Sequence, residues 1–257
     1  MTKEWLYYWL LAVDEHSLQS PFIFSFYQRY IKNGSYEKIT QIEQLRKALH
    51  KDHTLVEVND FGAGSTLNNQ QKRKVSYIAK TSASRARFSL FLRDLIIFEK
   101  YQNVLELGTS LGINTLYMAS DNTNPELLVH TIEGSRTIAQ LAVKNFEHCD
   151  QTNIRSHIGN IDDVLPTVLT EMKSVDLAYL DANHTLEATL DYFRQILPYT
   201  HENSTIVVDD IHWSGEMKTA WETLKLHEQV TTSVDLFDAG MLFFRSGLRK
   251  NHHIIEF

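Results

Sequence analysis

The sequence predicts an α/β protein: a doubly wound, mostly parallel seven-stranded sheet ending in an antiparallel β-hairpin, preceded by a mainly helical extension. Three observations carry this. From residue 103 onward, short apolar runs alternate with longer amphipathic ones, the pattern of strands and crossover helices. Next, VLELGTSLGINTLYMA (residues 104–119) reads as a buried strand, a tight glycine loop and a helix opening. Finally, only Asp238, Ala239 and Gly240 separate the last two apolar runs, a gap too short for a parallel crossover.

In chain order, residues 1–50 read as largely helical, punctuated by Pro21 and broken at Gly34. TLVEVNDFGAGS (54–65) and a polar, basic stretch (66–76, with Lys72, Arg73 and Lys74) follow; NDFGAGS lacks the apolar helix a ligand loop needs and reads as a plain loop. A helical run over 75–99 leads into strands at 103–107, 127–132, 154–158, 175–180, 205–209, 230–237 and 240–245. Helices are expected at 113–120, 136–149, 161–173, 186–197 and 215–227. The boundary is placed at residue 100: an extension over 1–99, a cap or dimerisation element, and a ligand-binding domain over 100–257.

The chain has 257 residues, 43% hydrophobic and 22% charged, enough for a large core. A net charge of −7 with no long basic run argues against a phosphate-tracking nucleic-acid binder. Cys149, the single cysteine, rules out an internal disulfide framework and fits a reducing, cytoplasmic compartment. WLYYWLLAV (Trp5–Val13) is too short to span a bilayer and lacks a basic leader. It reads as a helix face packed on the body or on a partner subunit, which leaves a homodimer open.

The chemistry concentrates where strands end. Glu106 precedes a loop of Gly108, Thr109, Ser110 and Gly112, in the spacing E-x-G-x-x-x-G. Glycine lets a ligand approach the backbone closely, and open α/β sheets bind ligands beyond their carboxyl edge. The spacing differs from the G-x-G-x-x-G of dinucleotide loops and points to S-adenosylmethionine. Glu133, followed by Gly134, ends the second strand, where a carboxylate can accept both hydroxyls of a ribose. Equally, it would favour the N-terminus of the next helix. Asn160 and Ile161, after the third strand, are placed against an adenine, with Asp162 and Asp163 as acids of a helix N-terminus.

Two further strands end in LAYLDANHT and IVVDDIHW, bringing Asp181, His184, Asp209 and Asp210 into play. Converging carboxylates repel unless a proton or cation compensates. An all-oxygen set suits Mg²⁺, which would lower the pKa of a bound hydroxyl; helix capping by one aspartate is the competing role. His184 has the pKa range of a general base, and Asp181 stands beside it as a second catalytic and cofactor-contacting candidate. His212 and Trp213 are placed at an acceptor pocket.

Together these motifs resemble class I S-adenosylmethionine-dependent methyltransferases over about residues 100–246, with a Rossmann-like sheet. VLELGTSLG is similar to that family's first motif, implying Glu106, Gly108 and Gly112 around the methionine moiety, and TIEGS to its second, implying Glu133 on the ribose. LDANHT and VVDDIHWSG resemble the matching stretches of cation-dependent O-methyltransferases of the catechol, caffeoyl-CoA and antibiotic-sugar types. That resemblance implies Asp181, Asp209 and Asp210 as Mg²⁺ ligands. His184 stands where the catechol and caffeoyl-CoA enzymes carry a catalytic lysine, and Asp-Asp replaces their Asp-Asn. HSLQSPFIF and DFGAGS resemble the extension of bacterial methyltransferase-like proteins. The expected activity is O-methylation of a small-molecule acceptor. Nucleic-acid methylation is disfavoured by the acidic charge and by the lack of a [DN]-P-P-[YFW] tetrapeptide or a Pro-Cys nucleophile motif. A non-catalytic cofactor-binding protein stays open.

Overall fold

The computed structural model describes residues 3–34, 37–58, 72–82, 85–121 and 123–257. NDFGAGS, read as a loop from sequence, lies outside the described residues. The N-terminal run forms helix α1 (Lys3–Leu11), which buries Tyr8 and leaves Leu6, Tyr7, Trp9, Leu10 and Leu11 exposed. Helix α2 (Pro21–Phe26) opens on Pro21, whose fixed φ suits a first helical position. It continues into a π-helical turn over Tyr27–Lys32. Helix α3 (Thr40–Leu49) buries Ile42, Leu45 and Leu49 along one stripe.

Strands β1 (Leu55–Glu57) and β2 (Lys72–Lys74) pair antiparallel with Val56 opposite Arg73. Part of the polar, basic stretch is thus a strand, held by its pairing to the buried Val56. The helical run expected over 75–99 divides into α4 (Val75–Thr81) and α5 (Ala86–Glu99). The second of these ends at Lys100, whose left-handed φ of 57° makes it a C-cap.

Thereafter strand and helix alternate as expected: β3 (Asn103–Leu107), α6 (Ile113–Met118), β4 (Leu128–Glu133), α7 (Arg136–His148), β5 (Ile154–Ile158) and α8 (Ile161–Met172). These are followed by β6 (Leu177–Leu180), α9 (Leu186–Ile196), β7 (Thr205–Asp209), α10 (Gly215–Lys225), β8 (Thr232–Asp235), β9 (Ala239–Phe243) and β10 (Asn251–Ile254). Thr185 caps α9 by accepting from the Ala188 N–H, and Ser214 caps α10 by accepting from Met217.

The chain divides into two compact units, one of Ser35–Met172 and one of Met1–Gly34 with Lys173–Phe257. In the first, β3, β4 and β5 run parallel, with Val104 opposite Val129 and Val129 opposite Ile154. Val104, Leu105 and Leu107 are fully buried, as parallel strands covered on both faces require. In the second, β6 and β7 are parallel, β9 lies antiparallel to both β7 and β8, and β10 runs parallel to β8. The expected hairpin is therefore β8–β9, with Asp235 opposite Gly240. Its close packing requires a glycine, because a Cβ on Gly240 would sit 2.6 Å from the Trp221 ring.

The seven-strand expectation is one short. Beside the β1–β2 pair, the described strands number three in one unit and five in the other. The addition is β10, whose sequence Asn-His-His-Ile carries no apolar run. Its stability comes from pairing with β8, and the Tyr8 hydroxyl donates to the Ile255 carbonyl just beyond it. Among the described residues no helix is long and apolar enough to cross a membrane.

Candidate active site

In the Ser35–Met172 unit the expected ligand loop forms at the carboxyl ends of β3, β4 and β5. The N–H groups of Gly108 and Thr109 both donate to the Ile132 carbonyl, so the loop folds over the end of β4. Gly108 (φ 97°), Ser110 (φ 49°) and Gly112 (φ 79°) all adopt left-handed backbone. Glu133 fixes this shape: its carboxylate accepts from the Ser110 N–H at 2.9 Å and from the Ser135 N–H at 2.9 Å. Gly134 lies between those contacts, and the Gly159 N–H donates to the Glu133 carbonyl. Asn160 and Ile161 follow at the start of α8, Asn160 half-buried and Ile161 buried. Glu106, Gly108–Gly112, Glu133, Gly134 and Asn160–Ile161 are thus gathered along one edge of three parallel strands. Asp162 and Asp163 occupy the first turn of α8, as expected of acids at a helix N-terminus.

Glu106 is 1% exposed. Its Oε2 accepts from the Thr131 hydroxyl at 2.6 Å and from the Thr115 hydroxyl, and Thr109 contacts the Thr131 hydroxyl at 2.6 Å. With Thr131 donating to Glu106, Thr109 is the donor in that chain. Oε1 is buried with no hydrogen-bond partner among the described residues. Burial, reinforced by the charge of Glu133, raises the Glu106 pKa to about 7 against the opposing hydroxyl hydrogen bonds. A buried carboxylate with an orphaned oxygen is costly and is suited to receive a cationic donor. The charged amino-acid tail of S-adenosylmethionine supplies such a donor, so these residues fit that cofactor. With Thr109 of the expected loop, Thr115 and Thr131 form a support; these two were not singled out by sequence reading, although hydroxyls in otherwise apolar segments were the available signal.

Gly112 has a packing reason of its own. A Cβ there would lie 2.3 Å from Phe146 Cε1 and 3.3 Å from the Ala142 Cβ on α7.

The second cluster belongs to the other unit, at the ends of β6 and β7. The Tyr179 hydroxyl lies 3.2 Å from Asp181 Oδ2 and 3.0 Å from Asp209 Oδ2. Asp209 also shares a hydrogen bond with Asp181, and its pKa is raised to about 7 by burial and then by the neighbouring Asp210 charge. Strand β7 stops at Asp209, and Asp210 turns into a left-handed conformation (φ 55°). That turn brings Asp210 Oδ2 within 3.7 Å of His184 Nε2, which is also 3.7 Å from Asp181 Oδ1. His184 packs edge-on to Trp213 at 5.7 Å. Burial holds its pKa below the usual histidine value against the Asp210 charge, so the ring is neutral at pH 7 and can accept a proton.

The cluster gathers Asp181, His184, Asp209 and Asp210 as expected. The acids pair off, however: Asp209 with Asp181 and Tyr179, Asp210 with His184. As they stand, the carboxylates of Asp181, Asp209 and Asp210 do not place three ligand atoms within 4.8 Å of one another, so a hard divalent ion would have to draw them together. Trp213 is exposed beside His184, whereas His212 turns away from the expected pocket. The His212 Nε2 lies 2.8 Å from Asp235 Oδ2 and its ring stacks on Phe237.

The raised Asp209 pKa has a sign. Unfolded, this group titrates near 3.8; folded, near 7. Between these values the folded chain holds the extra proton, so stability falls as pH rises from about 4 to about 7. Glu106 contributes in the same direction. Asp209→Asn, which keeps the shape and needs no proton, is expected to flatten part of this fall and to melt above wild type on the alkaline side of pH 7. Thermal melts across that range check it; identical curves would contradict it.

Comparison with known proteins agrees with this architecture. Residues 105–211 match a family model described as a methyltransferase domain. A catechol O-methyltransferase from Niastella koreensis is 28% identical over 129 residues, 49% of this chain; the chain spans 57% of that relative's length. The O-methyltransferase TomG from Streptomyces achromogenes, solved with SAM, superposes with a TM-score of 0.62 at 19% identity, covering 86% of this chain and 98% of that one. An O-methyltransferase from Bacillus cereus in complex with SAH gives 0.59 at 17%, over 85% and 96%. The chain therefore has the fold of these solved O-methyltransferases, and its residues 105–211 match a methyltransferase domain.

Proposed function

We propose that this protein transfers a methyl group from S-adenosylmethionine to a hydroxyl of a small-molecule acceptor. The observation that carries the hydroxyl assignment is His184, a neutral imidazole held 3.7 Å from each of two carboxylates. The catechol O-methyltransferase relative supports the same reading.

In this reading Glu106 and the Gly108–Gly112 loop hold the charged tail of the cofactor. Glu133 keeps the loop amides in place and accepts from the ribose hydroxyls; Asn160 and Ile161 line the adenine. Bound S-adenosylmethionine supplies an electrophilic methyl on a positively charged sulfur and leaves as the neutral thioether. His184 Nε2 takes the acceptor's hydroxyl proton as the oxygen–carbon bond forms. Asp181 and Asp210 stabilise the resulting imidazolium by their charge. Asp181, Asp209 and Asp210 would hold Mg²⁺, which would acidify the acceptor hydroxyl.

Production of S-adenosylhomocysteine over a catechol, phenol and sugar panel tests the reading. Turnover of at least one hydroxyl acceptor is expected, lowered by a chelator and restored by Mg²⁺. Turnover indifferent to the chelator would remove the cation and leave His184 as the base. No turnover of any hydroxyl compound, with cofactor binding intact, would favour a binding protein that has lost the chemistry.

A further inference from the structure

A second set of side chains, in the Ser35–Met172 unit and unused by the proposed reaction, converges on one point. His130 lies on β4 and His157 on the neighbouring β5. The register places Arg155 opposite His130 and His157 opposite Ile132, so both imidazoles lie on the same face of the sheet, diagonally adjacent. His130 Nδ1 and His157 Nε2 are 3.1 Å apart, and the rings stack with centroids 5.2 Å apart at 12°. Glu171, in the last turn of α8, completes the group: one ligand atom from each residue lies within 4.8 Å of those of the other two. Among the described residues this is the one set of three such side chains that meets this spacing.

We propose that His130, His157 and Glu171 form a binding site for a divalent transition-metal ion of the Zn²⁺ type, cross-linking β4, β5 and α8.

Four features support it. The donor set, two imidazoles and a carboxylate, is that of zinc sites with one position left for water; Mg²⁺ prefers oxygen alone. With metal–nitrogen bonds of about 2.0–2.1 Å, a 3.1 Å nitrogen separation corresponds to an angle at the metal of about 100°, near tetrahedral. Both rings are neutral at pH 7: burial lowers the His130 pKa to about 4 and holds His157 below its usual value, with Arg155 adding to both and Glu171 opposing. In the contact one neutral ring donates its N–H to the other; with that proton carried instead on the donor ring's other nitrogen, both facing nitrogens present lone pairs to a metal and both rings stay neutral. Finally, Glu171 puts a negative charge at the C-terminal end of α8, whose last turn holds no basic residue, where the helix dipole favours a cation. Arg155 supplies part of that charge through Glu171 Oε1, and the carboxylate has a second oxygen for a metal.

The consequence is structural. Strand β5 is the terminal strand of its sheet and pairs with β4 alone, so a metal bridging β4, β5 and α8 would pin an edge.

The test uses the full chain, stripped with chelator and titrated with Zn²⁺ in excess Mg²⁺, which competes at all-oxygen positions and not at the imidazoles. One Zn²⁺ per chain is expected, with a rise in melting temperature because only the folded state assembles the site. His157→Gln should weaken binding by about tenfold or more, since losing even an outer-shell partner costs that much. Glu171→Gln, at an exposed position that tolerates replacement, should also weaken it and cancel the thermal shift, which keeps the test valid should the β5 variant misfold. Absence of Zn²⁺ uptake, or uptake that Glu171→Gln leaves unchanged, would overturn the proposal.

Discussion

His184→Gln is expected to lower kcat by about a hundredfold to a thousandfold while leaving the affinity for S-adenosylmethionine within a few-fold of wild type. The magnitude is the ordinary contribution of a positioned general base. The selectivity follows from placement: His184 contacts Asp181, Asp210 and Trp213, whereas the proposed cofactor contacts are Glu106, the glycine loop and Glu133. Glutamine keeps a polar group of similar reach and removes the basic nitrogen, so a role confined to hydrogen bonding would survive it. The pH profile gives a second readout. Burial holds the His184 pKa below the usual value for histidine, so the acidic limb of the wild-type rate profile should lie below pH 6.5 and disappear in the variant. Steady-state kinetics with any accepted hydroxyl compound decides it; an unchanged kcat would remove the base.

Gly112→Ala is expected to be the most damaging single methyl addition in the ligand loop, lowering stability by about 2–5 kcal/mol. Two costs combine. A non-glycine residue at φ 79° pays about 1–2 kcal/mol for left-handed backbone. The added carbon would stand 2.3 Å from Phe146 Cε1 and 2.8 Å from Cζ, an overpacking that costs typically about 1–3 kcal/mol. Phe146 is buried against the same core as Leu111 and Leu116, so it has little room to yield. The two terms separate in a double-mutant cycle with Phe146→Leu, which should recover the steric part and leave the backbone part. Urea unfolding of the four proteins measures both. A Gly112→Ala variant of wild-type stability would contradict this packing and return the glycine to a purely ligand-facing role.

What was legible in the sequence was local. The apolar run ending at Glu106, the glycines at fixed offsets after it, the acid closing the next strand and the paired aspartates after Val208 each lie within a dozen residues, and each occupies the expected strand end. The hairpin was legible for the same reason, since its short turn leaves one geometry. What was missed depends on register and on contacts between distant segments. The service of Glu133 to the Ser110 amide links residues 23 apart. The need for glycine at position 112 is set by Phe146 on the following crossover helix. His212 sits beside the acidic pair in sequence, yet Asp235, on a different strand, draws it away. Strand β10 is polar, and only pairing with β8 makes it a strand. His130 and His157 look unrelated until β4 and β5 are laid in register.

The most direct test of the central claim is calorimetric titration of the purified chain with S-adenosylhomocysteine, beside a Glu133→Ala variant. Hydrogen bonds to a charged group contribute about 1.5–3 kcal/mol, and this variant also frees the Ser110 and Ser135 amides that shape the loop. The account predicts one site per chain and binding about ten- to a hundredfold weaker in the variant. A wild-type chain that takes up no S-adenosylhomocysteine, or a variant that binds it equally well, would contradict the assignment of this loop and its carboxylate to the cofactor.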